Sequence, residues 1–144
     1  MSNNLFAGTW KLISSEMRTS TGEVHFPLGE DCAGSLMFDA VGHLSAHLMR
    51  RDRPNFMSGD IVRGTDDEIK AAYQGYVAFW ANYEVNEAKR ELTYVITGSL
   101  FPNWVGHRNL RFYDFADDRL TFRTPPFLMG GKEIVGVLIW QRAS

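Results

Sequence analysis

The chain has 144 residues, 44% hydrophobic and 22% charged, with a formal net charge of −2 at pH 7. Without a basic field, nucleic acid is not an expected partner, and no segment approaches the length of a membrane span. A chain of this size buries about two-thirds of its unfolded surface around one core, so a single domain over residues 1–144 is expected.

Cys32 is alone, which excludes an internal disulfide and points to a reducing, cytoplasmic compartment. The first ten residues, MSNNLFAGTW, show no basic stretch followed by a long apolar run, so no signal peptide is read there. Ten Phe, five Tyr and four Trp favour strands or the lining of a pocket.

A first strand is expected over residues 5–18, where Trp10, Leu12 and Ser14 alternate with Lys11 and Ile13. The small hydroxyl residues and glycine of residues 18–22 make a turn. A short strand over 23–26 ends at Pro27, and a further strand covers 34–38. Residues 39–42 then form a hairpin turn into GHLSAHLMRRDRP at 42–54. That stretch has the period-2 pattern of a strand: His43, Ser45, His47 and Met49 on one face, Leu44, Ala46 and Leu48 on the other. A polar, soft face opposite an aliphatic one is what the inner wall of a ligand-holding barrel would present.

Residues 55–64 read as loop. Thr65 and Glu68 form a capping box, and Ile69, Ala72, Tyr73, Tyr76, Val77 and Trp80 follow at helical spacing, predicting one helix near residues 65–81. Strands are then expected at 82–86, 92–99, 106–115, 120–124 and 134–142, with a loop at 100–105. Eight or nine short strands without βαβ alternation argue an antiparallel barrel, and about eight strands is the size that holds one small ligand.

The order GTWKL, GHLSAHLMRRDRP, YEVNE, GSLFPNWVGHRNLRF, TPP and IWQR resembles the bacterial and fungal lipocalin-like domain family. Gly8, Thr9 and Trp10 resemble the G-x-W signature of the wider lipocalin and fatty-acid-binding superfamily. The resemblance implies a mainly all-β, up-and-down antiparallel barrel with one inserted helix, and a barrel end closed by Trp10 with Arg142 packed on it. Related lipocalin-like proteins include natural-product cyclases and isomerases.

The chemistry-bearing residues narrow this reading. His43 and His47 share a face but sit about 13 Å apart on a strand, too far for one ion to bridge, and no metal or cofactor is expected. Arg50, Arg51 and Arg53 with Asp52 form either a solvated strand end with local ion pairs or a carboxylate-binding group. Arg111, mid-strand, holds an anionic or carbonyl group if it points inward and is ordinary surface if it points outward. No G-x-S-x-G elbow and no phosphate-binding glycine loop is present. Acid–base work by His47, Tyr83, Tyr94 or Arg111 stays open. Trp104 and Phe56 either rim a pocket mouth, with Tyr73, Tyr76 and Trp80 as a lid, or pack in the core.

The expected function is binding of a small, mainly hydrophobic or amphipathic molecule in the barrel. Ser45, His47, Tyr83, Asn103 and Arg111 would orient it, and Met49, Phe56, Trp104 and Tyr113 would supply apolar contact. The alternative is a cofactor-independent cyclase or isomerase acting on a polyketide- or terpenoid-like substrate, with enzymatic activity undecided. Self-association as a homodimer is also left open.

Overall fold

A computed structural model describes residues 4–143; residues 1–3 and 144, part of the expected domain and of the N-terminal reading, lie outside them. Ten strands and one α-helix run in the order β1 Gly8–Thr19, β2 Val24–His25, β3 Cys32–Phe38, β4 His43–Arg50, α1 Asp66–Gln74, β5 Tyr76–Asn86, β6 Glu91–Ser99, β7 Arg108–Ala116, β8 Arg119–Arg123, β9 Phe127–Met129 and β10 Lys132–Arg142. A short 3-10 turn, Pro102–Trp104, lies between β6 and β7. Strands β1, β3, β4, β5, β6, β7, β8 and β10 pair antiparallel in that order, and β1 pairs with β10 to close the ring. The expected up-and-down barrel is the observed fold, with β2 and β9 as short additions on β1 and β10.

The antiparallel order places the connections 20–31, 51–75, 100–107 and 124–131 at one end, called the mouth below. The tight turns 39–42, 87–90 and 117–118 lie at the other end, with the chain's start and finish. The β3–β4 turn is set by Asp39, whose side chain accepts from the backbone N–H of Val41 (2.9 Å) and His43 (2.8 Å). Gly42 beside it takes φ 101°, a left-handed conformation that favours glycine.

The helix is shorter than its apolar spacing predicts. Its start is as read: Thr65 accepts from the Glu68 N–H and Glu68 reaches back to the Thr65 N–H at 2.8 Å. It stops at Gln74, with Gly75 as its cap, and residues 76–81 are strand. As a strand the segment puts Tyr76 and Trp80 on one face and Val77 on the other, and it pairs with β4 from Tyr76 and with β6 from Phe79 onward. No residue of α1 is buried.

The β4 expectation is corrected as well. Leu44, Ala46 and Leu48 face the interior and are 2–6% exposed, within one cluster that includes Trp10, Leu12, Leu36, Tyr94 and Trp140. Ser45, His47 and Met49 are opposite Trp80, Ala78 and Tyr76 on the outer wall. Burying an aliphatic face gains roughly 25 cal/mol per Å² of apolar area, whereas an interior His or Ser would need partners. The aliphatic face therefore turns inward.

The far end of the barrel is sealed. Trp10 is 1% exposed, its indole N–H donates to the Phe6 carbonyl at 2.9 Å, and the Arg142 guanidinium carbon lies 4.1 Å from its ring centroid. Arg142 also donates to the Ala7 and Leu5 carbonyls at 3.1 and 2.6 Å, tying the N-terminal segment across the opening. The Trp10–Arg142 contact implied by the resemblance is thus present.

On the outer wall the Trp80 ring lies against Gly98, leaving no room for a Cβ there.

Two outcomes follow. Arg142→Ala removes a cation–π contact and two charged hydrogen bonds and should lower stability by about 2–4 kcal/mol, read as a shifted urea midpoint at unchanged slope. Gly98→Ala should cost about 1–3 kcal/mol by overpacking, and most of that cost should vanish in a Trp80→Ala background, measured as a double-mutant cycle.

Candidate functional site

Because directly opposed residues in an antiparallel pair face the same side, the inward positions of β7 follow from β6. Leu92 opposes Arg111 and Tyr94 opposes Asn109. Leu92 and Tyr94 belong to the core, so Arg111 points into the barrel. Its guanidinium carbon lies 5.3 Å from the Tyr94 ring centroid. Its one hydrogen bond among the described residues runs from Nη1 to the Leu110 carbonyl at 2.9 Å, and no described carboxylate pairs with it. An inward arginine with most of its five donors uncommitted is a group that recognises oxygen acceptors.

Aromatic rings connect this arginine to the mouth. Tyr94 stacks on Phe79, centroids 5.4 Å apart and 8° from parallel. Phe79 meets the edge of Trp104 at 6.2 Å, and Trp104 meets Phe101 at 5.5 Å, in the connection at the mouth. Val77, Phe79, Arg111 and Leu138 point inward yet remain only half-buried, which marks where solvent reaches the interior. Burial pushes the Tyr94 phenol up, partly opposed by the Arg111 charge, and its hydroxyl bonds to no described residue. Tyr94 is therefore a neutral donor at physiological pH rather than a base.

The other expected site residues scatter. Ser45, His47 and Met49 face outward, and His47 Nδ1 bonds the Tyr76 hydroxyl at 3.0 Å. Tyr83 and Tyr113 do point inward, but at the sealed end. There the Tyr83 hydroxyl donates to the Asp39 carbonyl at 2.7 Å and accepts from Asn4 at 2.6 Å, and Tyr113 packs edge-on against Phe6 at 4.9 Å. Asn103 is exposed on the 3-10 turn, and Phe56 packs on Gly64 in the long β4–β5 connection. Of the expected set, only Arg111 and Trp104 join the stack. Phe79, which links them, was hidden in sequence by the helical spacing of its neighbours; its alternation with Val77 and Ala81 was the available signal.

The arginines at and after the end of β4 are held by local structure, although the Arg53 Nε is buried without a partner among the described residues. Arg50 pairs with Asp52 at 2.9 Å and Arg51 with Asp31 at 2.9 Å, while Arg53 donates to the Ala72 carbonyl at the helix end and lies over Tyr76. A depression of about 420 Å³ opens beside Arg50 and Leu28. A second, about 1410 Å³, opens at the sealed end between the N-terminal segment and the β5–β6 turn. Its lining mixes inward Tyr113 and Phe115 with outer-face Glu84 and Arg108, so it is an open cleft rather than an enclosed hole. Neither contains Arg111.

The lipocalin-like domain family matches residues 7–143, nearly the whole chain. The chain belongs to the lipocalin-like domain family. A relative from Aspergillus oryzae named as a 4'-hydroxy-3'-methoxypropiophenone carrier protein is 26% identical over 106 residues, covering 69% of this chain and 96% of that protein. The crystal structure of a lipocalin-like protein from Bacteroides uniformis superposes with a TM-score of 0.50 at 14% identity, covering 95% of this chain and 97% of that one. That likeness concerns the lipocalin-like fold. No helix among the described residues is long and apolar enough to cross a membrane.

The buried tyrosines set a pH limit. Burial raises the phenols of Tyr83, Tyr94 and Tyr113, so folding favours their neutral form. In the unfolded chain they ionise near pH 10. Their contribution is whole below that value and is lost as pH rises through it. Three phenols should titrate late at 295 nm, in step with loss of the far-UV signal, and Tyr94→Phe should move alkaline unfolding to higher pH.

Proposed function

We propose that this protein is a carrier that binds a small, mainly apolar, planar molecule bearing a carbonyl or anionic oxygen. Arg111 would hold the oxygen, with the neutral Tyr94 hydroxyl as a second donor. Phe79 and Trp104 would pack against the ligand's ring between mid-barrel and mouth. The observation that carries this reading is Arg111, turned inward over an aromatic ring with its donors uncommitted. Arg111 is half-buried, so its free donors face the solvent-reached part of the interior, where a ligand oxygen would replace water as the acceptor. The relative named as an aryl-ketone carrier supports the same ligand chemistry, and the lone buried Cys32 fits a reducing, cytoplasmic setting.

The reading as a carrier is favoured over a cyclase or isomerase by the relative named as a carrier protein, and the interior offers no ready base. Burial raises both the Tyr94 phenol and the Cys32 thiol, so each is protonated at neutral pH and poorly suited to abstract a proton.

The test is calorimetric titration with 4'-hydroxy-3'-methoxypropiophenone and with its analogue lacking the carbonyl oxygen. Arg111→Met should weaken binding of the ketone about 10- to 100-fold, the weight of a charge-assisted hydrogen bond, and leave the deoxy analogue unaffected. Equal affinity of wild type and Arg111→Met for the ketone would refute the assignment. Chromatography of the recovered ligand decides the class: unchanged ligand supports a carrier, and conversion establishes an enzyme.

A further inference from the structure

Exposed apolar side chains are distributed very unevenly over this barrel. Of the seventeen large hydrophobic residues exposed among the described residues, thirteen lie in the four connections at the mouth or the short elements within them. The three most exposed lie there, Ile61 at 96%, Met57 at 95% and Val62 at 84%; Val41 at 77%, in the 39–42 turn at the other end, is followed by Leu128 at 76%. Soluble surfaces carry scattered single apolar residues as a matter of course, but their concentration at one end marks an interaction surface.

The charge pattern narrows the partner. The connections 100–107 and 124–131 are neighbours around the rim, separated by β7 and β8. Neither contains a single Asp, Glu, Lys or Arg. Between them they expose Leu100, Phe101, Trp104 and Val105 on one side and Phe127, Leu128 and Met129 on the other. This ledge is uncharged and rich in aromatic rings, the composition suited to the boundary between headgroups and acyl chains. Across the mouth the connections 20–31 and 51–75 carry eight Asp and Glu against four Arg and Lys, and Asp31 and Asp60 are paired with Arg51 and Arg63. The flank is net acidic, with Asp66, Asp67 and Glu68 together at the helix start, and disfavours anionic lipid. The apolar groups lie on two separate loops of the rim. A fluid lipid interface accommodates separate loops, whereas a folded partner would need a matching surface.

We infer that the mouth of this barrel docks on a neutral, zwitterionic lipid surface through the 100–107 and 124–131 ledge, which places the opening against a reservoir of apolar molecules. This surface is independent of Arg111, so its failure would leave the ligand assignment standing.

The test is co-sedimentation of the full chain with phosphatidylcholine vesicles and with vesicles containing added phosphatidylserine. Binding is expected to phosphatidylcholine and to be weakened severalfold by phosphatidylserine at low salt. Val105→Ser/Leu128→Ser/Met129→Ser should reduce the bound fraction about tenfold or more, while the double variant Met37→Ser/Val41→Ser, away from the mouth, should bind as wild type. An unchanged far-UV spectrum and urea midpoint of the triple variant verify that its barrel is intact. Absence of wild-type binding, an unaltered triple variant, or preference for the anionic vesicles would overturn the proposal. So would a wild-type dimer that the triple variant dissolves, because the ledge would then be covered by a second copy.

Discussion

Ring closure by β1 and β10 is the constraint on which the rest of this structure depends. The two strands pair from Trp10 opposite Arg142 to Thr19 opposite Ile134. Closure does more than remove two sheet edges. It brings residues from the two ends of the chain into direct opposition, and the Trp10–Arg142 contact is a consequence of that register. A slip of one residue would send Trp10 to the outer wall and Arg142 out of reach of its ring.

Once the ring is closed, every strand has an inside and an outside, and the hydrophobic effect assigns them. On β4 the aliphatic face turns inward, although the other face carries the more chemically varied side chains. On β7 the same rule has the opposite outcome for a charged residue. Arg111 shares its side with Tyr113 and Phe115, both needed in the interior, and is carried inward with them. Its charge is accommodated by the face of Tyr94 and by incomplete burial, instead of by a carboxylate. A polar residue reaches the lumen of this barrel as a passenger on an apolar face.

The two ends divide the work. At the sealed end Phe6, Phe38, Tyr83 and Tyr113 form a cluster of tilted and edge-to-face rings with centroid distances of 4.9–6.4 Å, and the Tyr83 hydroxyl has both a donor and an acceptor partner. At the mouth the connections are long, no residue of the helix is buried, and the rings of Phe79, Trp104 and Phe101 run outward. Short turns favour a rigid seal, and long connections leave a perimeter that can meet a ligand or a surface.

The sequence by itself determined the barrel, the start of the helix and the closing Trp10–Arg142 pair. Period-2 alternation, turn chemistry and a capping box are local signals, and the pair follows from the two ends of one resembling pattern. It could not determine the end of the helix, because the apolar residues 76, 77 and 80 continue the helical stripe yet also fit a strand with Val77 on one face and Tyr76 and Trp80 on the other, and only pairing with β4, joined by β6 from Phe79, decides between them. Nor could it choose the inner face of β4, or tell whether Arg111 pointed in or out. Alternation says that two faces differ; which one is buried depends on the neighbouring strands' register and on the core they share. The stack from Arg111 through Tyr94 and Phe79 to Trp104 spans four separate elements, and only the tertiary structure brings them together.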